Sequence, residues 1–260
     1  MEIQHPSVFP DPGLSREEMI DQQRAIAERA TFGNQGCPRG EAVAIEAPLN
    51  LEEGSEGASS KPIVVGIDQA FEEETAVSAL IALQGEQVIE TVCARRPLEF
   101  PYIPGLLAFR EAGVIVEGLR SLSVSPELLL FDGSGRIHYR QAGIATHVGV
   151  LFDLPAVGVA KNLLCGAPDR SLEEPLDAGT TVPIRANEDV EVESGTVLGH
   201  AVQTRQYPDP GARGVNPLYV SPGHRCGAKR AAALAAATAA GYKLPEPIRL
   251  ADRLAEECKG

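Results

Sequence analysis

Three apolar runs in this chain each end on a charged side chain: VVGID on Asp68, LLLFD on Asp132 and VGVAK on Lys161. Runs of that composition read as buried strands. Neighbouring strand ends lie about 5 Å apart, so Asp68 and Asp132 are candidates to share one cation. Two carboxylates that close repel and raise one another's pKa unless a cation neutralises them. Oxygen ligands of this kind suit Mg2+ or Mn2+, whereas zinc would favour His and Cys. The competing reading is that each Asp caps the turn after its strand, as in the DGSG segment that begins at Asp132.

Other candidates lie around these runs. Glu111 follows Arg110 in PYIPGLLAFREAG, where the plain reading is a solvated charge pair. The segment GRIHYRQAGIATHVGV holds His138, Arg140 and His147. The planar fork of Arg140 suits a phosphate, and equally a nearby acid. His147, on an apolar helix face, reads as a hydrogen-bonded core histidine. His224 stands in SPGH, where Gly223 permits a tight turn just before a side chain that exchanges protons near neutral pH. No GxGxxG, P-loop or GxSxG occurs in the right context, which sets nucleotide-cofactor and serine-hydrolase chemistry aside.

Holding these residues together requires a sheet. Residues 63–68, 76–83 and 87–93 are apolar, β-rich and separated by short turns, which predicts an antiparallel meander. The period then changes. Residues 106–109 and 114–122 read as helical, 128–131 as a buried strand, 143–152 as helix and 156–159 as strand, and strands separated by helices pair in parallel. A strand over 197–203, a short extended piece at 218–220, an Ala-rich helix over 229–240 and a last helix over 248–258 complete the pattern. Before the sheet, Ser15 and Glu18 form a capping-box signature for a helix reaching about residue 30. Residues 46–60, with the segment LNLEEGSEGASS, read as a flexible surface loop. One α/β domain spanning 1–260 is the economical reading.

Composition narrows the function classes. Of 260 residues, 36 are acidic and 23 basic, for a formal charge of −13, which excludes a generic basic nucleic-acid binder. Eighteen of the basic residues are Arg and only 5 are Lys, and with the acid excess this predicts a surface adapted to a salt-rich cytoplasm. No apolar run approaches the roughly 20 residues of a membrane span, and the first residues lack a basic-then-apolar signal. A soluble, cytoplasmic protein is expected. Five cysteines without a CxxC pair predict reduced, mostly buried thiols.

Taken together, these segments resemble the endonuclease V family of deaminated-base repair nucleases. The resemblance covers REEMIDQQRAIAER, VVGID, RRPLEFPYIPGLLAFRE, LLLFDGSGRIHYRQAGIATHVGV, PAVGVAKNLLCG, VLGHAVQTR and YVSPGHR. It implies an RNase H-like mixed sheet and a Mg2+-dependent site, with Mn2+ substituting, that cuts at the second phosphodiester 3′ to a hypoxanthine. By the same resemblance, Asp68 and Asp132 are metal ligands, Glu111 the third catalytic carboxylate, His224 the later catalytic histidine and Lys161 the cation near the phosphate. Pro101, Tyr102, Ile103 and Pro104 match the wedge, a stiff apolar device for filling the gap left by an extruded base. The expected partner is DNA containing deaminated bases, with inosine-containing RNA as a second candidate, acted on by a monomer. Two alternatives stand beside this reading: another RNase H-like nuclease, including one that cuts inosine-containing RNA, and a noncatalytic inosine-binding module. The second would lack a metal carboxylate, and none is missing.

Overall fold

Ser15 opens the first helix as its sequence predicts. Its Oγ accepts from the Glu18 N–H at 3.3 Å, and Glu18 Oε2 accepts from the Ser15 N–H at 2.8 Å, so α1 (Arg16–Arg29) begins with two otherwise orphaned amides satisfied. The computed structural model describes residues 1–11, 13–51, 60–98, 103–206 and 214–259.

The meander forms as β1 (Ile63–Glu72), β2 (Thr75–Gln84) and β3 (Gln87–Pro97), each antiparallel to the next. Through α2 (Leu107–Ser121), β4 (Leu128–Asp132) joins β1 in parallel; through α3 (Ile144–Phe152), β5 (Ala156–Ala160) joins β4 in parallel. The chain then supplies β6 (Ala167–Pro168), β7 (Thr181–Arg185), β8 (Val197–Val202) and β9 (Leu218–His224), followed by α4 (Ala228–Ala237) and α5 (Glu246–Glu257). The sheet order is β3-β2-β1-β4-β5-β9-β8-β7-β6, with β9 returning antiparallel to β5. This is the expected α/β mixed sheet: three antiparallel strands, then parallel additions.

Period-two alternation divides the sheet's two faces. Val65, Ile67, Leu129 and Phe131 pack against α2 and α3 through Ile115, Leu119, Val148 and Leu151. Val64, Leu128, Leu130, Val157 and Val159 pack on the other face against Leu234 of α4 and Ile248 of α5. Helices cover both faces, which is why the central strands are apolar throughout. Among the described residues, no helix is long and apolar enough to cross a membrane.

Several expectations change. The two helical pieces around 106–122 are one helix, because Gly113 lies inside α2 without breaking it. Strand β1 runs past Asp68 to Glu72, since Gln69 and Ala70 still pair with Ser78 and Val77. The 46–60 segment is not all loose surface: Leu49 is buried with Ile45, Ile81 and Leu250, and its N–H donates to Glu246 Oε2 at 2.8 Å. Residues 52–59 lie outside the described residues. The reading of five reduced thiols is corrected as well. Cys93 and Cys258 are joined as a disulfide across 165 residues, because α5 ends against β3; Cys37, Cys165 and Cys226 are the buried free thiols expected.

His147 is the core histidine its position suggested, with Nε2–H donating to the Val8 carbonyl at 2.7 Å. Burial pushes its pKa down to about 4 from the ordinary 6.5. The unfolded chain therefore binds the extra proton more readily, and stability falls as pH is lowered between those two values. Urea unfolding is expected to show about 2 kcal/mol of this loss by about pH 4.5 from this one group. His147→Gln should remove that share of the pH dependence, and an unchanged pH dependence would refute it.

Candidate active site

Parallel pairing places Ile67 opposite Phe131, so Asp68 and Asp132 stand side by side one position further along β1 and β4. Ile67 and Phe131 face α2 and α3. By alternation the two carboxylates point to the opposite face, where α5 lies across β1. Their approach is set by backbone. A Cβ on Gly66 would fall 2.0 Å from the Pro247 carbonyl oxygen, so only glycine lets α5 come this close. The start of α5 is tied down by Glu246, fully buried, which holds Arg249 at 2.6 Å and accepts from the Leu49 N–H.

This packing delivers a residue that the sequence reading missed. Asp252 of α5 joins Asp68 and Asp132, with one carboxylate oxygen from each within 4.8 Å of the others. The last helix was legible, but nothing in its sequence distinguished Asp252 from Glu246, Glu256 or Glu257. Its role follows only from how closely α5 packs on β1.

The charges are unbalanced. Burial, and then the neighbouring Asp132 charge, push the Asp68 carboxyl up to about 8. Lys161, just beyond β5, sets its ammonium 2.7 Å from Asp132 Oδ2 and 3.8 Å from Asp252 Oδ1. Burial opposes the charge on Lys161, but the Asp132 hydrogen bond and the surrounding carboxylates together hold its pKa above the ordinary lysine value. Glu111 is buried on α2 outside the three-carboxylate cluster. Burial pushes it up to about 7, Arg110 pulls against this, and Asp132 adds to the rise. Three carboxylates against one ammonium form a site that a divalent cation would relieve, and the all-oxygen donor set fits a hard one.

A cavity of about 380 Å³ opens beside these groups, its walls including Asp132, Lys161, Gly105, Leu107, Gly143 and Ile144. Its lining combines apolar side chains and backbone with the charged Asp132 and Lys161, a mixture that suits a flat heterocycle attached to a phosphate.

Two expected site residues are placed differently. His224 is opposite Ala156 at the start of β5, whereas Asp132 is opposite Val159 near its end, about 10 Å further along the strand. The His224 ring is also committed: Nε2–H donates to Asp153 Oδ1 at 3.0 Å and Nδ1 accepts from the Thr31 N–H at 3.1 Å. It ties α1 to the end of α3 and does not reach the acids. Arg140 is half-buried, with Nε on Gln23 Oε1 at 2.7 Å and Nη2 on the Gly105 carbonyl at 3.4 Å, away from the carboxylate cluster. Of the wedge, Ile103 packs with Met19, Leu106 and Phe109, and Pro104 is exposed; Pro101 and Tyr102 lie outside the described residues.

Comparison with known proteins gives the family and the fold. Residues 46–253 match the family model described as Endonuclease V. A relative named Endonuclease V from Halobacterium salinarum is 50% identical over 262 residues, covering 99% of each chain, and its source fits the salt-adapted composition. The solved endonuclease V of Streptomyces avermitilis superimposes with a TM-score of 0.73 at 29% identity, covering 95% of this chain and 93% of that one. The endonuclease V of Ciona intestinalis, solved with a 24mer DNA containing an inosine followed by a ribo-adenosine, shares the fold at a TM-score of 0.68 and 24% identity, covering 93% and 95%.

Proposed function

The chain belongs to the endonuclease V family and is an endonuclease of DNA repair; from that premise we propose that it hydrolyses the second phosphodiester 3′ to a hypoxanthine in DNA, with a divalent cation held by Asp68, Asp132 and Asp252. The observation that supports this reading is the three-carboxylate cluster with Lys161 against it, Asp132 and Lys161 also lining the cavity of about 380 Å³. The Ciona relative's inosine-containing DNA points the same way.

When bound, Mg2+, or Mn2+ in its place, supplies a polarised phosphate and a water of lowered pKa. The chain's own residues do the rest. Lys161 faces developing negative charge on the phosphate oxygens. Glu111, with a pKa near 7, can take up a proton at neutral pH. The cavity receives the damaged base once it has left the stack, a step that costs a few kcal/mol and less for a mispaired base. His224, with both ring nitrogens engaged, has no part in this scheme.

The deciding assay compares matched inosine-containing DNA, inosine-containing RNA and undamaged DNA with Mg2+, with Mn2+ and with chelator. Cutting at the second phosphodiester 3′ to inosine in DNA, lost with chelator, is expected. Cleavage that survives chelation, or equal cutting of undamaged strands, would overturn the proposal; preference for the RNA would reassign the substrate.

Tyr102→Ala is expected to reduce the preference for inosine-containing over undamaged DNA about tenfold, the scale of one lost base–aromatic contact, with little change in Tm. Equal losses on both substrates would leave the 101–104 segment as a covering loop only.

A further inference from the structure

We infer that Gln23 of α1 is a positioning residue for the base cavity: with His138 and Arg140 it fixes the Gly105 carbonyl, and through it the cavity wall that follows the 101–104 segment. The inference rests on the function proposed above and extends it to a helix that contributes nothing to the carboxylate cluster.

The buried stripe of α1 is Met19, Gln23 and Ile26. Met19 and Ile26 sit in apolar clusters, as a core stripe should. Gln23 is as completely buried as they are, where an unsatisfied amide would be costly. Its amide is satisfied at both ends by distant residues. Nε2 donates to the Gly105 carbonyl at 2.8 Å, and Oε1 accepts from Arg140 Nε at 2.7 Å.

The same carbonyl receives two further donors, His138 Nε2 at 3.1 Å and Arg140 Nη2 at 3.4 Å. His138 can donate from Nε2 while its Nδ1 accepts the Arg140 backbone N–H at 3.2 Å, which fixes a single neutral tautomer. The ring therefore acts as a relay between two backbone groups rather than as a titrating base.

Gly105 needs this restraint. It has φ +80 and lines the cavity immediately after the 101–104 segment. Glycine populates positive and negative φ about equally, so nothing in Gly105 itself holds the wall in one conformation. Three donors converging on its carbonyl do, and the one from α1 also orients the Arg140 fork.

Removing the clamp leaves Asp68, Asp132, Asp252 and Lys161 in place, so binding of the damaged base should suffer while the chemical step is kept. Gln23→Leu preserves size and removes both bonds; Gln23→Glu keeps an acceptor for Arg140 but, as a carboxylate, cannot donate to Gly105. Both are to be made in the full chain. For both, KM on inosine-containing DNA is expected to rise about tenfold with kcat within about threefold of wild type, the scale of one or two lost hydrogen bonds. Independently of any activity, backbone hydrogen exchange over residues 103–107 should quicken in both variants, while exchange in β1 and β4 stays the same. A fall in kcat at unchanged KM, or a lower Tm with unchanged KM, would assign Gln23 a purely structural role and overturn the inference. Unchanged exchange over 103–107 would also overturn it, even if wild type proved inactive on inosine-containing DNA, a result that would separately refute the function proposed above.

Discussion

Asp132→Asn is expected to lower Mg2+-supported cleavage of an inosine-containing strand by about a thousandfold or more while leaving the chain folded, a loss of about 4 kcal/mol in transition-state stabilisation. Asp132 is where the site's charges meet. It contacts Lys161 at 2.7 Å, shares the cluster with Asp68 and Asp252, and adds to the raised pKa values of Asp68 and Glu111. Asparagine keeps its shape and removes its charge. Without that charge Asp68 ionises more readily, so folding stability should hold or rise even as the cation site weakens. Binding of inosine-containing DNA should remain measurable in Ca2+, which accepts oxygen ligands but supports this hydrolysis poorly. Asp68→Ala should behave in the same way, and Asp252→Asn, on a half-exposed side chain, should show a smaller loss of about a hundredfold. Mg2+-dependent turnover within tenfold of wild type would remove Asp132 from the site.

Sequence and structure agree most closely where a local pattern determines the outcome. Alternating apolar runs with short turns specified the meander, and the change of period at α2 specified the parallel strands. The expectation that Asp68 and Asp132 would be neighbours required only strand spacing and register, and both hold. Strands β6 and β7 escaped notice because Pro168, Pro175 and Pro183 interrupt any period-two reading of that stretch. Asp252 and the Cys93–Cys258 pairing were illegible for a different reason. Each depends on where α5 docks, and docking is fixed by shape: a missing side chain at Gly66 and a buried Glu246–Arg249 pair. His224 shows the converse. Its SPGH segment looked poised for proton transfer, yet the strand register puts it at the wrong end of β5.

Gly66→Ala tests that docking directly. The added Cβ would lie 2.0 Å from the Pro247 carbonyl oxygen and 2.2 Å from its carbon, both backbone atoms that no rotamer change can move. Relief requires α5 to lift from β1, loosening Ile248, Leu250 and Ala251 together with the Glu246 contact to Leu49. Destabilisation of about 3 kcal/mol is expected, at the upper end for an overpacked core site, measured by urea unfolding. Cleavage should fall with it, by about a hundredfold, since the helix that moves is the one carrying Asp252. Comparison with Asp252→Asn separates the causes. That variant removes the carboxylate and leaves the helix seated, so it should lose cleavage at nearly unchanged stability. Gly66→Ala should lose both, and assays well below its unfolding midpoint should not restore cleavage, because the folded molecules still hold Asp252 too far from Asp68 and Asp132. If Gly66→Ala instead unfolds within about 1 kcal/mol of wild type and cleaves normally, α5 is not pressed against β1 and the place of Asp252 in the cluster falls with it.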